Sequence, residues 1–221
     1  MLSDKDRERL ERKLSREMAG LLAGQRGRIV DLAELDYNLI DDNFWLRERD
    51  VLAPVLISII ARIVTRAGQS TAEDVGVGID EGILQDRAVA FARDYSFNLI
   101  TGLNTTSRSI VSRAVQQAFT TPGFTLQDFV DVVSPTFGPT RAEMIGITEV
   151  TRAASQGVIE SGNQLRQLGV QLDEYWLTNR DDRVCPICAP RHNKKRGDGW
   201  DDPPPAHPRC RCDTALRIPR G

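Results

Sequence analysis

Cysteine and histidine are scarce in this chain, and neither sign of charge is in excess. The 221 residues include four cysteines and two histidines, and the formal net charge is −2. A near-neutral chain carries no global electrostatic signal for nucleic acid or for an anionic membrane. No apolar run reaches the roughly 20 residues a membrane-spanning helix requires. The most apolar stretch, Val51 to Ile60, stops at Ala61-Arg62 and reads as a buried core helix with Pro54 in its first turn. Met1 to Glu17 is densely charged and has no apolar core, so no secretory signal is read there and a cytosolic chain is expected. No repeat of a solenoid or propeller type is visible. Gly76-Val77-Gly78 lacks both the full glycine pattern and the preceding strand of a nucleotide-binding loop.

The scarce cysteines are not scattered. All four lie in Cys185-Pro186-Ile187-Cys188 and His207-Pro208-Arg209-Cys210-Arg211-Cys212. Where disulfides are disfavoured, such clustering argues for metal. A two-residue spacer lets a tight turn present two sulfurs to one ion, and Pro186 fixes one of its backbone angles. Zinc takes four thiolate or imidazole ligands tetrahedrally, so a second pair is required. Two sets are available: Cys185, Cys188 and His207 with either Cys210 or Cys212, or the four cysteines. The set containing histidine is preferred, because Cys210 and Cys212, one residue apart on a strand face, are a less usual ligand pair. The zinc would be structural, since three or four thiolates saturate the ion and leave no place for an activated water. The competing readings are simple burial of small hydrophobic thiols and a Cys188–Cys210 disulfide stapling the same hairpin.

Other residues with chemistry are few. His192-Asn193 with His207 superficially resembles a zinc-supported His-Asn-His nuclease, with His207 as base or ligand, although Arg191 to Trp200 reads as a solvated hairpin tip. Glu149 and Arg152, on one side of a helix with Gln156, form a polar cluster that either meets a partner or anchors the helix to a neighbour. From Ala189 to Gly221, eight basic residues face four acidic ones. Lys194, Lys195, Arg196, Arg209 and Arg211 are therefore candidates for weak, salt-sensitive contact with DNA.

Most of the chain has a helical period. Leu10, Leu14, Met18 and Leu21 fall on one face, as do Leu84, Ala88, Phe91, Tyr95 and Leu99. Ile110 to Phe119 repeat the pattern after Asn104-Thr105-Thr106-Ser107, read as a break that supplies an N-cap. Thr71 and Asp74 resemble a capping box. Breakers flank a short helix over Leu126 to Val133, and a longer helix runs from Pro139 to about Leu168, stopped by Gly169. Val170 to Leu177 then reads as a strand, with a turn over Asn179 to Asp182. In the last segment Cys210, Cys212, Thr214, Leu216 and Ile218 alternate with Arg211, Asp213, Ala215 and Arg217, which predicts a strand with both cysteines on its buried side. The expected fold is α+β: a mostly helical body over residues 1–138, then residues 139–221, where a long helix leads to a small β module stapled by the Cys/His cluster.

Three blocks together resemble the phage Mu protein F-like head morphogenesis (minor capsid protein) family. They are Ile147-Thr148-Glu149-Val150-Thr151-Arg152-Ala153, similar to the family's Thr-Glu-x-x-Arg-Ala segment; Tyr175 to Thr178 followed by Asp181 to Cys188; and Pro204 to Cys212. The resemblance covers roughly residues 140 to 218. Arg191 to Asp202 departs from the family's usual short linker by being longer and more charged. The resemblance implies a non-enzymatic component of head assembly at the portal vertex. Its partners would be the portal protein and the scaffold or major capsid protein, with no membrane. Its place would be the virion, after assembly in the host cytoplasm.

Overall fold

The computed structural model describes residues 1–179 and 184–219. The fold is α+β, a body of helices followed by a two-stranded sheet and the Cys/His cluster. The helices are α1 (Asp4–Leu35), α2 (Asp42–Val75), α3 (Glu81–Thr120), α4 (Leu126–Val133) and α5 (Pro139–Gln167). The strands are β1 (Asp173–Leu177) and β2 (Asp213–Arg217), paired antiparallel with Trp176 opposite Thr214. The turn expected over Asn179 to Asp182 lies, from Arg180 on, outside the described residues.

Helix starts follow capping chemistry. Ser3, Asp41 and Asp80 accept the backbone N–H groups of Asp6, Phe44 and Ile83. Thr125 and Asp128 exchange bonds in a full capping box at the start of α4. Each such cap stabilises a helix by about 1 kcal/mol. α5 opens on Pro139 and ends ahead of Gly169, whose φ of 87° is the left-handed stop expected there.

Three local expectations fail, each for a physical reason. α3 runs unbroken through Asn104 to Ser107. Thr105 and Thr106 turn their hydroxyls back onto the carbonyls of Thr101 and Gly102, so they do not compete with the helix for its N–H groups. Asn104 instead bridges to Gln25 on α1 and the carbonyl of Trp45 on α2. Thr71 caps nothing; it lies inside α2, bonded to the Ala67 carbonyl, and Gly76 at φ 78° ends that helix. Pro54 is not in a first turn either. It sits within α2 on the exposed side, where Asp50, four residues earlier, is also exposed, so its carbonyl loses a helical partner where water can replace it.

The long helices pack side by side in the order α1, α5, α2, α3. α2 is long and apolar enough to cross a membrane by length and composition alone. Here its apolar stripe, Leu52, Leu56, Ile60, Ile63 and Val64, is buried at 1% exposure or less against its neighbours. Two glycines allow the close crossings. A Cβ on Gly157 of α5 would collide with the Val64 carbonyl, and one on Gly146 would collide with Ser15 of α1. α1 buries Leu14, Met18, Leu22 and Ile29, with Leu10 and Leu21 at the edge of that face.

β1 begins at Asp173 rather than Val170 and is central, with β2 on one edge and residues 193–196 on the other. The clean alternation expected through residue 218 does not hold. Asp213, Thr214 and Ala215 are all buried, whereas Ile218 is exposed. The strand is covered from both sides: Arg7 of α1 reaches Asp213, and Leu216 lies on Gly162 of α5. Cys210 and Cys212 are buried as expected but precede the strand.

Candidate metal centre

The two cysteine clusters meet. Cys185–Cys188 forms a turn closed by the Cys188 N–H on the Cys185 carbonyl at 3.1 Å, and His207–Cys210 forms a second closed by the Cys210 N–H on the His207 carbonyl at 3.2 Å. Arg209 adopts φ 62° to make the second turn, a conformation that strains a non-glycine residue. Facing each other, the turns place His207 Nε2 at 3.0 Å from Cys185 Sγ and 3.4 Å from Cys188 Sγ. Cys188 Sγ is 3.8 Å from Cys210 Sγ. Among the described residues the ligand atoms form two triads, Cys185–Cys188–His207 and Cys188–Cys210–Cys212, each with all atoms within 4.8 Å. Zn–S bonds of about 2.3 Å place tetrahedral sulfurs roughly 3.8 Å apart, which is the Cys188–Cys210 separation, so the cluster is capable of holding a metal. A cavity of ≈ 50 Å³ lies among the five side chains.

The imidazole is oriented for ligation. His207 Nδ1 is 2.7 Å from the Pro208 carbonyl. A carbonyl only accepts, so Nδ1 carries the proton and Nε2 turns its lone pair toward the sulfurs. Thiols this crowded titrate unequally. The Cys212 thiol and the N–H groups of Cys212 and Ala206, acting against burial, pull Cys210 down to about 5. Burial and the neighbouring Cys210 push Cys188 up to about 12. A divalent cation would remove this conflict, because a coordinated thiol is deprotonated outright. The donor set therefore fits a thiophilic, borderline-soft ion.

What fixes the second turn is a layer of contacts that sequence inspection did not single out. Thr148 of α5 accepts the Arg209 N–H at 2.9 Å, and Thr151 donates to the Cys210 carbonyl at 2.6 Å. Arg7, 4% exposed on α1, donates to Thr151 and, at 2.7 Å, to Asp213. Arg211 pairs with buried Glu11 at 3.1 Å. Two threonines three apart on α5, in register with the turn of a helix, were the available signal. The neighbouring charged residues, Glu149 and Arg152, are the stronger signal in sequence.

Those charged residues face elsewhere. Glu149 is buried and accepts the Tyr95 hydroxyl of α3 at 2.6 Å, and Arg152 lies 3.7 Å from Glu149 and over the Tyr95 ring. Burial raises the Glu149 carboxyl above its usual range, against the opposing effects of Tyr95 and Arg152. Gln156 bonds Glu160 instead. Among the described residues, His192 belongs to neither metal-capable group; its Nδ1 accepts the Thr178 N–H, and Asn193 accepts from Arg217. The basic candidates are paired with acids, Lys194 with Asp198, Lys195 with Asp173, Arg196 with Glu174, Arg209 with Glu143 and Arg211 with Glu11. Such pairing removes most of the excess positive field a phosphate backbone would meet.

Fold and site define a helical protein whose C-terminal end is a small β module with a metal-capable cysteine–histidine cluster. A family model described as Phage Mu protein F like protein matches residues 106–215. Through this segment, about half of its length, the chain belongs to that family. The segment takes in the end of α3, α4, α5 with Thr148 and Thr151, and both turns of the cluster. No curated protein and no solved structure matches the chain.

Proposed function

We propose that the protein is a structural component of phage head morphogenesis, a minor capsid protein that joins the procapsid at the portal vertex and performs no catalysis. The family match over residues 106–215 carries this reading. The chemistry of the site supports it, since a set of thiolates and one imidazole closes a metal's coordination shell. The portal protein and the scaffold or major capsid protein are its partners, and DNA contact is weak. It assembles in the host cytoplasm and becomes part of the virion, in the capsid interior or at the portal vertex. Residues 1–138 present helical surface to these partners, and residues 139–221 form the family module. α5 joins the two regions, because it packs on α1 and α2 while its threonines hold the tail.

The cluster of Cys185, Cys188, His207, Cys210 and Cys212 is the zinc site of this module. Zinc supplies cross-linking there. The pairing of Glu149 and Arg152 with Tyr95 is a structural anchor between α5 and α3.

Procapsid assembly with the cognate portal, scaffold and major capsid proteins tests this reading. The protein is expected to bind the portal and to sediment with procapsids. Its absence from procapsids, together with no portal binding, would refute the role. A metal-dependent DNA cleavage assay with His207→Ala as control is expected to show no activity above that control.

A further inference from the structure

The geometry points to one specific coordination shell: a single zinc ion held by Cys185 Sγ, Cys188 Sγ, His207 Nε2 and Cys210 Sγ, with Cys212 outside it, beside Cys188 and Cys210. This assignment rests on the reading of the cluster as a metal site and is independent of any role in head assembly.

Five candidate ligands surround the centre, one more than a tetrahedron takes. The choice follows from the backbone. The two turns are equivalent: each spans four residues, carries a candidate ligand at its first and last position, and is closed by the N–H of the last residue on the carbonyl of the first. Two such turns brought face to face give two ligands each, and those ligands are Cys185 with Cys188 and His207 with Cys210. Cys212 belongs to neither turn.

The position of His207 argues against an all-cysteine site. Its ring lies against two sulfurs, 3.0 Å and 3.4 Å from Nε2, with the opposite nitrogen held by the Pro208 carbonyl. A four-cysteine shell would need this ring to leave the space between Cys185 and Cys188. The choice between Cys210 and Cys212 follows from position. Cys210 closes the second turn, with its N–H on the His207 carbonyl, and its sulfur lies 3.8 Å from Cys188 Sγ, the separation of two sulfurs on one tetrahedral zinc. Its carbonyl is also tied to Thr151 of α5 at 2.6 Å.

The two triads share Cys188. An ion at the centre draws Cys210 and the Cys185–His207 pair around that common sulfur. Because Thr148 and Thr151 hold the second turn on α5, the first turn, Cys185–Cys188, is the one that closes.

Cobalt substitution in the full chain tests the assignment. Purified protein is stripped of metal under reducing conditions and titrated with Co²⁺, then with Zn²⁺ in competition. The wild type is expected to bind one Co²⁺ with the absorption of a tetrahedral site and the charge-transfer intensity of three thiolates. Cys212→Ser keeps the stoichiometry and the spectrum, with affinity lowered at most on the order of 10- to 100-fold, as for a neighbour of the ligands. Cys210→Ser loses a third of the charge-transfer intensity or fails to bind. His207→Cys keeps a tetrahedral site and gains a fourth thiolate band, which guards against a folding failure in His207→Ala. An unchanged spectrum in His207→Ala would overturn the assignment in favour of four cysteines. Loss of a thiolate band in Cys212→Ser, with Cys210→Ser unaffected, would overturn it in favour of Cys212.

Discussion

The helical body and the C-terminal module solve the same problem with different means. The five helices, α5 included, bury some thirty apolar side chains in one continuous core, and at roughly 25 cal/mol per Å² that burial can outweigh the conformational entropy of the helices. The buried core of the β module after α5 is Trp176, Cys188, Trp200, Cys210 and Cys212. So few side chains cannot stabilise a loop-rich unit by burial alone, and three of the five are thiols placed for a metal. Where apolar area is plentiful, close fit at crossings sets stability. Where it is not, a metal cross-link would supply it.

The comparison can be broken at the module first. Metal removal, or Cys185→Ser, is expected to unfold the module while leaving the body helical. Structural zinc contributes on the order of 10 kcal/mol to small metal-dependent units. Trp176 and Trp200 pack edge to face at 5.5 Å inside the cluster, so tryptophan fluorescence should change sharply while far-UV circular dichroism barely moves. Coincident loss of both signals would show that the two regions are one cooperative unit.

The link between the regions comes next. Arg7→Met leaves Asp213 buried without its partner, and breaking a buried pair typically costs 3–5 kcal/mol. Denaturant melting should show a loss of about 3 kcal/mol. A double-mutant cycle with Asp213→Asn should then recover part of it. Within the body, Gly157→Ala pushes a methyl into the Val64 carbonyl and is expected to remove about 2 kcal/mol of stability without altering metal affinity. An equal loss of metal affinity would contradict the separation drawn between the regions.

The smallest expected effect is a pH dependence. Burial raises the folded-state pKa of Glu149 above 4.5. Between the unfolded and folded values the native state holds a proton that the unfolded chain has released. This contribution to stability is therefore present at low pH and lost as pH rises through the folded value. Glu149→Gln should flatten that slope while keeping an acceptor for the Tyr95 hydroxyl, which equilibrium melts across the acidic range would reveal.

The helices were legible because period and caps are local. α4 and α5 stand where the breakers at Pro122-Gly123, Pro135 and Gly138-Pro139 put them. The break expected at Asn104 to Ser107 shows the limit of such reading, since threonine hydroxyls can satisfy a helix as readily as end it. In the module, residue type revealed the cysteine and histidine cluster. It could not reveal Thr148, Thr151, Arg7 and Glu11, because contacts across 59 to 206 positions leave no periodic trace. For the same reason Arg209 and Arg211 looked like free positive charge, although each has an acidic partner on a helix.

On this reading the cysteines and His207 hold a metal that closes the module. Elemental analysis of the purified chain, together with thermal melting before and after chelation, tests it most directly. About one zinc per chain is expected, lost on Cys185→Ser or Cys188→Ser, with the module destabilised by the loss. A metal-free protein of unchanged stability would contradict it.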